Sequence, residues 1–148
     1  MPVRTSTAVW EGGLKNGKGK MMLGSGAFEG KYSFGSRFEQ EKGTNPEELI
    51  GAAHAGCFSM ALAGILEQAG FKPEHIHTSA SVHIDKSGDG FKITSIELDT
   101  EAKVPGIDEK TFREKAEMAK KGCPVSVLLS GGSAEIKLLA RLAQPMAA

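Results

Sequence analysis

Apolar and polar positions follow different spacings in successive parts of this chain. In the first part, short stretches at residues 5–11, 20–23 and 31–34 have the composition of β-strands, and the glycines between them mark turns. The polar and irregular segment 36–43 comes next and is predicted to be a loop. The opening of the chain is therefore predicted to be β-structure that ends in a loop.

A long apolar segment follows and is predicted to be one helix that ends near Ala69. Asn45 is placed to cap this helix, Pro46 suits its first turn, and Glu48 completes a capping box. Apolar and small residues occupy nearly every face of 49–66, which is typical of a buried helix. Its small residues let another backbone approach closely. Its glycines and polar residues make it too weak to predict a membrane span.

The next apolar pattern has a period of two residues and predicts a β-hairpin. Residues 78–85 alternate, the segment 87–90 has the glycines of a hairpin turn, and 91–102 forms the returning strand. The apolar positions of the returning strand change parity between Ile93 and Ile96. A change of parity inside a strand indicates a β-bulge.

The last part of the chain returns to helical spacing before a final strand. Asp108 is placed to cap a helix that runs to about Lys121, and a short helix is predicted at 124–129. Residues 133–142 are predicted to be the last strand, and about 143–148 a disordered tail. With no repeat and no linker, the pattern predicts one α+β domain over the whole chain.

Composition removes several classes of function. Eighteen basic and eighteen acidic residues balance, so no net field attracts nucleic acid or an anionic membrane. Aromatic residues make up only 6% of the chain, which argues against a base-stacking surface. The N-terminus has no apolar signal core, so we expect a cytoplasmic protein. In the cytoplasm, cysteines are more often catalytic, metal-binding or incidental than permanently disulfide-bonded.

The two cysteines are the first candidates for chemistry. Cys57 lies inside the central helix, and Cys123 lies where one helix ends and the next can begin, 66 residues later. Two cysteines in such separate contexts indicate a thiol pair that meets in space, and therefore redox chemistry. Alternatively, each packs as a small apolar residue. Cys57 is too far into its helix to benefit from the helix dipole, so a reactive thiolate there needs a nearby cation or network.

Arg37 and Glu47 are candidates for that network, because an arginine favours a thiolate and a carboxylate can hold the arginine in place. The alternative for each is a solvated surface charge. Glu47 and Cys57 are ten residues apart, which in one straight helix separates their backbones by about 15 Å. A shared compact site would therefore need Glu47 from a partner chain or a bend in the helix.

His54 can lie beside Cys57 on the central helix, and a Cys-His pair would indicate a thiol hydrolase. We favour a buried, hydrogen-bonded histidine, because no Asp or Asn that would orient the ring is evident. The cysteines and the four histidines do not have the spacing of zinc ligands.

The segment 45–62, which reads NPEELIGAAHAGCFSMAL, resembles the central helix of the OsmC/Ohr family and most closely its OsmC branch. The segments 37–44, 104–107 and 122–126 fit the same family. The resemblance covers nearly the whole chain, and two separate cysteine motifs in the right order make it specific.

This resemblance implies a thiol-dependent peroxidase, active in oxidative and osmotic stress defence, that reduces organic hydroperoxides and, less well, hydrogen peroxide. Cys57 would be the peroxidatic residue and Cys123 the resolving residue, with Arg37 and Glu47 as the activating network. The Ohr branch places its site arginine nearer the N-terminus, where this chain has only Arg4. We favour Arg37.

The family fold implies an intertwined homodimer, in which antiparallel sheets wrap around long central helices and the sites lie at the subunit interface. It implies no metal, flavin or haem, and an external dithiol, such as that of a lipoylated protein, as the reductant. Two other functions stay open on the residues alone. One is a carrier of small apolar ligands in which the cysteines merely pack, and the other is the hydrolase built on His54 and Cys57.

Overall fold

The computed structural model describes residues 1–132 and 135–143, which divide into two compact units. The first unit is Met1–Leu49 and the second begins at Ile50. Helices and strands are mixed along the chain, so the predicted α+β class is confirmed. The prediction of one domain over residues 1–148 stays a prediction.

The first unit contains a three-stranded antiparallel sheet. Its strands are β1 (Ser6–Glu11), β2 (Lys18–Leu23) and β3 (Glu29–Tyr32), in that order. The rings of Trp10 and Tyr32 pack against each other with their centroids 5.3 Å apart. The predicted β-structure is therefore confirmed, although the third strand begins and ends two residues earlier than the predicted 31–34.

The predicted loop at 36–43 is wrong at its beginning, because helix α1 (Phe34–Phe38) occupies the first part. The Ser33 hydroxyl accepts from the Ser36 N–H at 3.0 Å, and the Ser36 hydroxyl accepts from the Ser33 N–H at 2.8 Å. This reciprocal capping starts the helix with serine in the position where the sequence rule looks for Glu or Gln. Only one turn is formed, which is too short for apolar spacing to reveal.

Helix α2 (Pro46–Gln68) confirms the predicted long helix. The Asn45 side-chain oxygen accepts from the Glu48 N–H at 2.8 Å, as expected of a cap, whereas the Glu48 carboxylate accepts from the Thr44 hydroxyl. Gly43, just before the cap, has a φ of +140°, and a Cβ there would lie 2.8 Å from the Lys31 carbonyl oxygen. Glycine is required at this entry to the helix.

Within the chain, α2 is buried on one face only, so the predicted burial on all sides is wrong for a single chain. Its buried positions repeat every three or four residues, and they are Glu47, Gly51, His54, Phe58, Leu62 and Leu66. A Cβ on Gly51 would lie 3.3 Å from the Ala80 carbonyl oxygen, which is the close backbone approach expected of the small residues. The opposite face is exposed and apolar, with Ala52, Ala53, Gly56 and Met60.

By length and composition, α2 meets the requirements of a membrane-crossing helix, contrary to the sequence expectation. The core helix of a soluble protein meets the same requirements. Its buried face makes specific polar contacts: the Ser59 hydroxyl donates to the Thr78 hydroxyl at 2.8 Å, and Thr78 is hydrogen-bonded to Thr100 at 3.0 Å. These contacts identify α2 as a helix packed on a sheet.

The sheet of the second unit contains β4 (His75–Ser87), β5 (Gly90–Lys103) and β6 (Glu135–Leu142). The β4–β5 hairpin is antiparallel, and its register shifts where Thr94 is left without a partner position, so the predicted bulge is confirmed. β6 runs parallel to β5, and the predicted antiparallel sheet is wrong there. Two intervening helices carry the chain back across the sheet, which permits parallel pairing.

Those helices are α3 (Glu109–Gly122) and α4 (Pro124–Ser130), and both were predicted. Asp108 caps α3 by accepting from the Thr111 N–H at 2.8 Å. Residues 133–134 of the predicted last strand and 144–148 of the predicted tail lie outside the described residues.

The core of the second unit lies between α2, α3 and the sheet. Each element contributes side chains that are fully or almost fully buried. These include Phe58, Leu62, Leu66, Ile96, Leu98 and Phe112. Burial of each such side chain contributes about 1.5–3 kcal/mol. Because α2 presents Phe58 to this core, the position of Cys57 beside it is fixed by packing.

Candidate active site

The structure brings the two cysteines together, as the sequence predicted. Cys57 lies half-buried on α2, and Cys123 lies fully buried between α3 and α4. The two thiols lie next to each other and interact, and this interaction acts on the ionisation of Cys57. The chain thus places two sulfur atoms in contact although 66 residues separate them in sequence.

The surroundings of Cys57 act on its ionisation in opposite directions. Burial raises the pKa of the Cys57 thiol above its ordinary value, and the neighbouring Cys123 raises it further. The backbone N–H of Val125 donates to the sulfur and lowers the pKa. The net direction is upward, so these groups by themselves favour the thiol over the nucleophilic thiolate.

Cys123 owes its position to a junction between two helices. Its N–H donates to the Ala119 carbonyl oxygen at 2.9 Å and closes α3. Its sulfur caps α4 by accepting from the Ser126 N–H at 3.3 Å, and Pro124 occupies the first turn. Because the backbone is bonded on both sides, the thiol is held in a fixed direction, as predicted for a cysteine able to cap the second helix.

His54 is fully buried and hydrogen-bonded, which confirms the interpretation that the sequence favoured. Its Nε2 atom lies 2.7 Å from the Ser126 hydroxyl, and that hydroxyl accepts from the Cys123 thiol at 3.1 Å. Among the described residues, none forms a hydrogen bond with His54 Nδ1. Burial lowers the pKa of His54, so the ring is held neutral. An unpaired buried polar atom costs about 1–3 kcal/mol, which makes this arrangement unusual for a purely structural histidine.

Arg37 and Glu47 form an ion pair in the first unit. The guanidinium donates to the carboxylate through Nε at 3.1 and 3.2 Å and through a terminal nitrogen at 2.7 Å. Glu47 is only 7% exposed, whereas the Arg37 side chain is 37% exposed. A nearly buried carboxylate therefore holds a cation whose side chain is partly exposed. Arg4, the alternative arginine, is exposed and precedes β1.

These observations give two separate pairs of predicted site residues. The thiol pair belongs to the second unit and the ion pair to the first. The contact predicted between Arg37 and the Cys57 thiolate stays a prediction.

Sequence reasoning missed two groups at the thiol pair. Ser126 contacts both Cys123 and His54, and the backbone of Val125 contacts Cys57. One signal for Ser126 exists in the sequence, because it stands three residues after the Cys123 cap, where a helix N–H meets its capping side chain. No sequence signal marks a backbone donor such as Val125.

Comparison with known proteins agrees with these features. The sequence model of the OsmC-like protein family matches residues 39–138, which include both cysteines. Peroxiredoxin OsmC of Escherichia coli is 55% identical over 132 residues, which cover 88% of this chain and 90% of that protein. Organic hydroperoxide resistance protein OhrB of Bacillus subtilis is 32% identical over 101 residues, which cover 68% of this chain and 71% of that protein.

The fold agrees as well. The crystal structure of an organic hydroperoxide resistance protein OsmC from Legionella pneumophila superposes with a TM-score of 0.73, covering 97% of this chain and all of that one, at 20% identity. This likeness concerns the fold alone. On the family match and the 55% identity, the chain belongs to the OsmC family and is a peroxiredoxin-like enzyme.

Proposed function

We propose that this protein is a cytoplasmic hydroperoxide reductase that reduces organic hydroperoxides, and hydrogen peroxide less well, in oxidative and osmotic stress defence. The observation that carries the proposal is the contact between the Cys57 and Cys123 thiols. The names of the E. coli peroxiredoxin and the B. subtilis organic hydroperoxide resistance protein support the substrate class.

In the first step, the Cys57 thiolate attacks the terminal oxygen of the hydroperoxide. A sulfur–oxygen bond forms, the oxygen–oxygen bond breaks, and the alkoxide takes a proton and leaves as an alcohol. Cys57 is left as a sulfenic acid. The half-buried position of Cys57 supports this role, because a reactive sulfur has to be reached by substrate.

In the second step, Cys123 attacks the sulfur of the Cys57 sulfenic acid. A disulfide forms and water leaves, which protects Cys57 from further oxidation. The existing contact between the two thiols supports this step, because little movement is needed to bring the sulfur atoms together. An external dithiol, with lipoylated proteins as the proposed source, then reduces the disulfide by two exchanges.

Arg37 is proposed to supply the positive charge that the first step needs. The raised pKa of Cys57 leaves little thiolate unless a cation offsets the effect of burial. Arg37 is suited to this role because Glu47 fixes its guanidinium by three hydrogen bonds while part of the side chain stays exposed. The ion pair acts on a thiol of the same subunit or of its partner.

The functional protein is proposed to be an intertwined homodimer that pairs along α2. The exposed face of that helix is apolar, and Met60 at its centre is 80% exposed. Nothing lies within 4 Å of a Cβ added at Gly56, so a second helix has room to approach. Apolar residues at such an interface would also favour bulky alkyl peroxides over hydrogen peroxide.

Substitution of each cysteine separates the two chemical steps. With a dithiol present, Cys57→Ser is expected to abolish consumption of cumene hydroperoxide, because the attacking sulfur is gone. Cys123→Ser is expected to consume one equivalent per subunit and then stall at the sulfenic acid. Peroxide consumption is followed over several turnovers. Sustained turnover by Cys57→Ser would rule out the mechanism, and a wild-type protein without any consumption would favour the apolar-ligand carrier.

Removal of the proposed cation should move the ionisation of Cys57. Arg37→Ala is expected to shift the pH midpoint of Cys57 alkylation upward by about 1 unit or more, since an opposite charge lowers a pKa by about that amount. Alkylation below the wild-type midpoint is then slower in the variant. Arg113→Ala, which removes an exposed arginine of α3 paired with Glu109, is the matched control. Equal midpoints in the two variants would remove Arg37 from the site.

A charge on the exposed face of α2 should separate the proposed dimer. Met60→Glu is expected to sediment as a monomer at micromolar concentration, because pairing would bury an unpaired carboxylate. Met118→Glu, at a 52% exposed position of α3, is the control and is expected to stay dimeric. An active wild-type monomer, or a Met60→Glu variant that sediments like the control, would contradict pairing along α2.

A further inference from the structure

Two buried polar side chains, Ser126 and His54, lie next to Cys123 and have no role in the steps described so far. The Ser126 hydroxyl lies 3.1 Å from the Cys123 sulfur and 2.7 Å from His54 Nε2. The exposed fractions of His54, Cys123 and Ser126 are 0%, 0% and 1%. The three side chains form a continuous chain of hydrogen bonds that starts at a reacting sulfur and ends at an imidazole.

One placement of the protons makes this chain of hydrogen bonds run from the thiol to the imidazole. The Cys123 thiol donates to the Ser126 oxygen, which leaves the serine hydroxyl proton free to point at His54 Nε2. In the tautomer that carries its proton on Nδ1, which is unpartnered among the described residues, His54 accepts from this hydroxyl at Nε2. A neutral ring of this tautomer is a proton acceptor.

The resolving step needs such an acceptor. Cys123 has to lose its thiol proton as its sulfur attacks, because the thiolate is the nucleophile. The thiol is fully buried, so bulk water does not reach it in this conformation. Ser126 is the hydrogen-bond acceptor in contact with that proton, and His54 is the basic group behind it.

Resting on the function proposed above, we propose that Ser126 and His54 remove the proton from the Cys123 thiol while Cys123 attacks the Cys57 sulfenic acid. Ser126 touches the reacting sulfur and is a catalytic residue. His54 acts through Ser126 and is a positioning residue that also holds the transferred proton.

The step balances in atoms and electrons. The Cys123 S–H bond breaks and its proton joins the Ser126 oxygen, whose own proton passes to His54 Nε2. The electron pair left on the Cys123 sulfur forms the disulfide bond, and the sulfur–oxygen bond of Cys57 breaks toward oxygen. The departing hydroxide takes one proton from solvent at the half-buried Cys57 and leaves as water, and the later return of the His54 proton to solvent leaves no net change in protons. His54 gives up its proton to return to the neutral ring, which burial favours because it lowers the pKa of His54.

Rapid-quench single turnovers test the relay. Reduced full-length protein is mixed with one equivalent of cumene hydroperoxide, and intact mass follows the thiol, the trapped sulfenic acid and the disulfide over time. His54→Gln keeps much of the side-chain volume and a hydrogen-bonding amide but has no basic nitrogen. Ser126→Ala breaks the chain, whereas Ser126→Thr keeps a hydroxyl. His83→Gln, at an exposed position of β4, is the control for the substitution itself.

Disulfide formation is expected to slow by about 100-fold or more in His54→Gln and Ser126→Ala, the usual range for loss of a general base, with sulfenic acid accumulating. Ser126→Thr and His83→Gln are expected to form the disulfide close to the wild-type rate. A purely structural role would be satisfied by glutamine, so a wild-type rate of disulfide formation in His54→Gln would overturn the relay.

Different results would overturn the proposed function and the proposed relay. A wild-type protein that forms no sulfenic acid would overturn the proposed function, and the relay with it. Normal sulfenic acid formation followed by equally fast resolution in Ser126→Ala and Ser126→Thr would overturn the relay alone. The Ser126 pair therefore decides the question even if His54→Gln does not fold.

Discussion

The chemistry proposed for this protein depends on one contact, that between the Cys57 and Cys123 thiols. Each sulfur is held by a different kind of constraint. Cys57 is placed by the packing of Phe58 in the core, and Cys123 by the hydrogen bonds that end α3 and begin α4. Both constraints hold the sulfur atoms near each other, which favours the proposed formation of a disulfide. The same burial opposes ionisation of Cys57, which is why a cation has to be part of the account.

Helix α2 forms part of the core, and two further roles are proposed for it. Its buried face forms the core with Phe58, Leu62 and Leu66, and its exposed face is apolar enough to pair with a second helix. His54 lies on the buried face and contacts Ser126 instead of an apolar side chain. A polar group at this depth weakens the core, and its place in a chain of hydrogen bonds to Cys123 gives a physical reason for keeping it.

Most of the fold was predictable because its signals are local. Each of these signals lies within a few residues of the helix start, turn or bulge that it predicts. They are the Asn45 cap, the hairpin turn, the parity change at Thr94 and the Asp108 cap. Helix α1 was not predicted, because serine replaces the usual capping partner there. The direction of β6 was predicted wrongly, because it depends on the helices before it. The meeting of Cys57 with Cys123 was expected, but the serine and histidine behind them depend on packing between distant elements. The proposed action of Arg37 on Cys57 stays a prediction, because no local signal in the sequence specifies it.

The central claim is that peroxide oxidises the two thiols to one disulfide, and intact mass tests it most directly. The fully reduced protein is treated with one equivalent of cumene hydroperoxide without reductant, and free thiols are then counted. A loss of two hydrogens per chain, about 2 Da, with no free thiol left, is the result expected when a sulfenic acid is resolved to a disulfide. Unchanged mass with both thiols still free would mean that neither cysteine is a reactive thiolate, and would contradict the account.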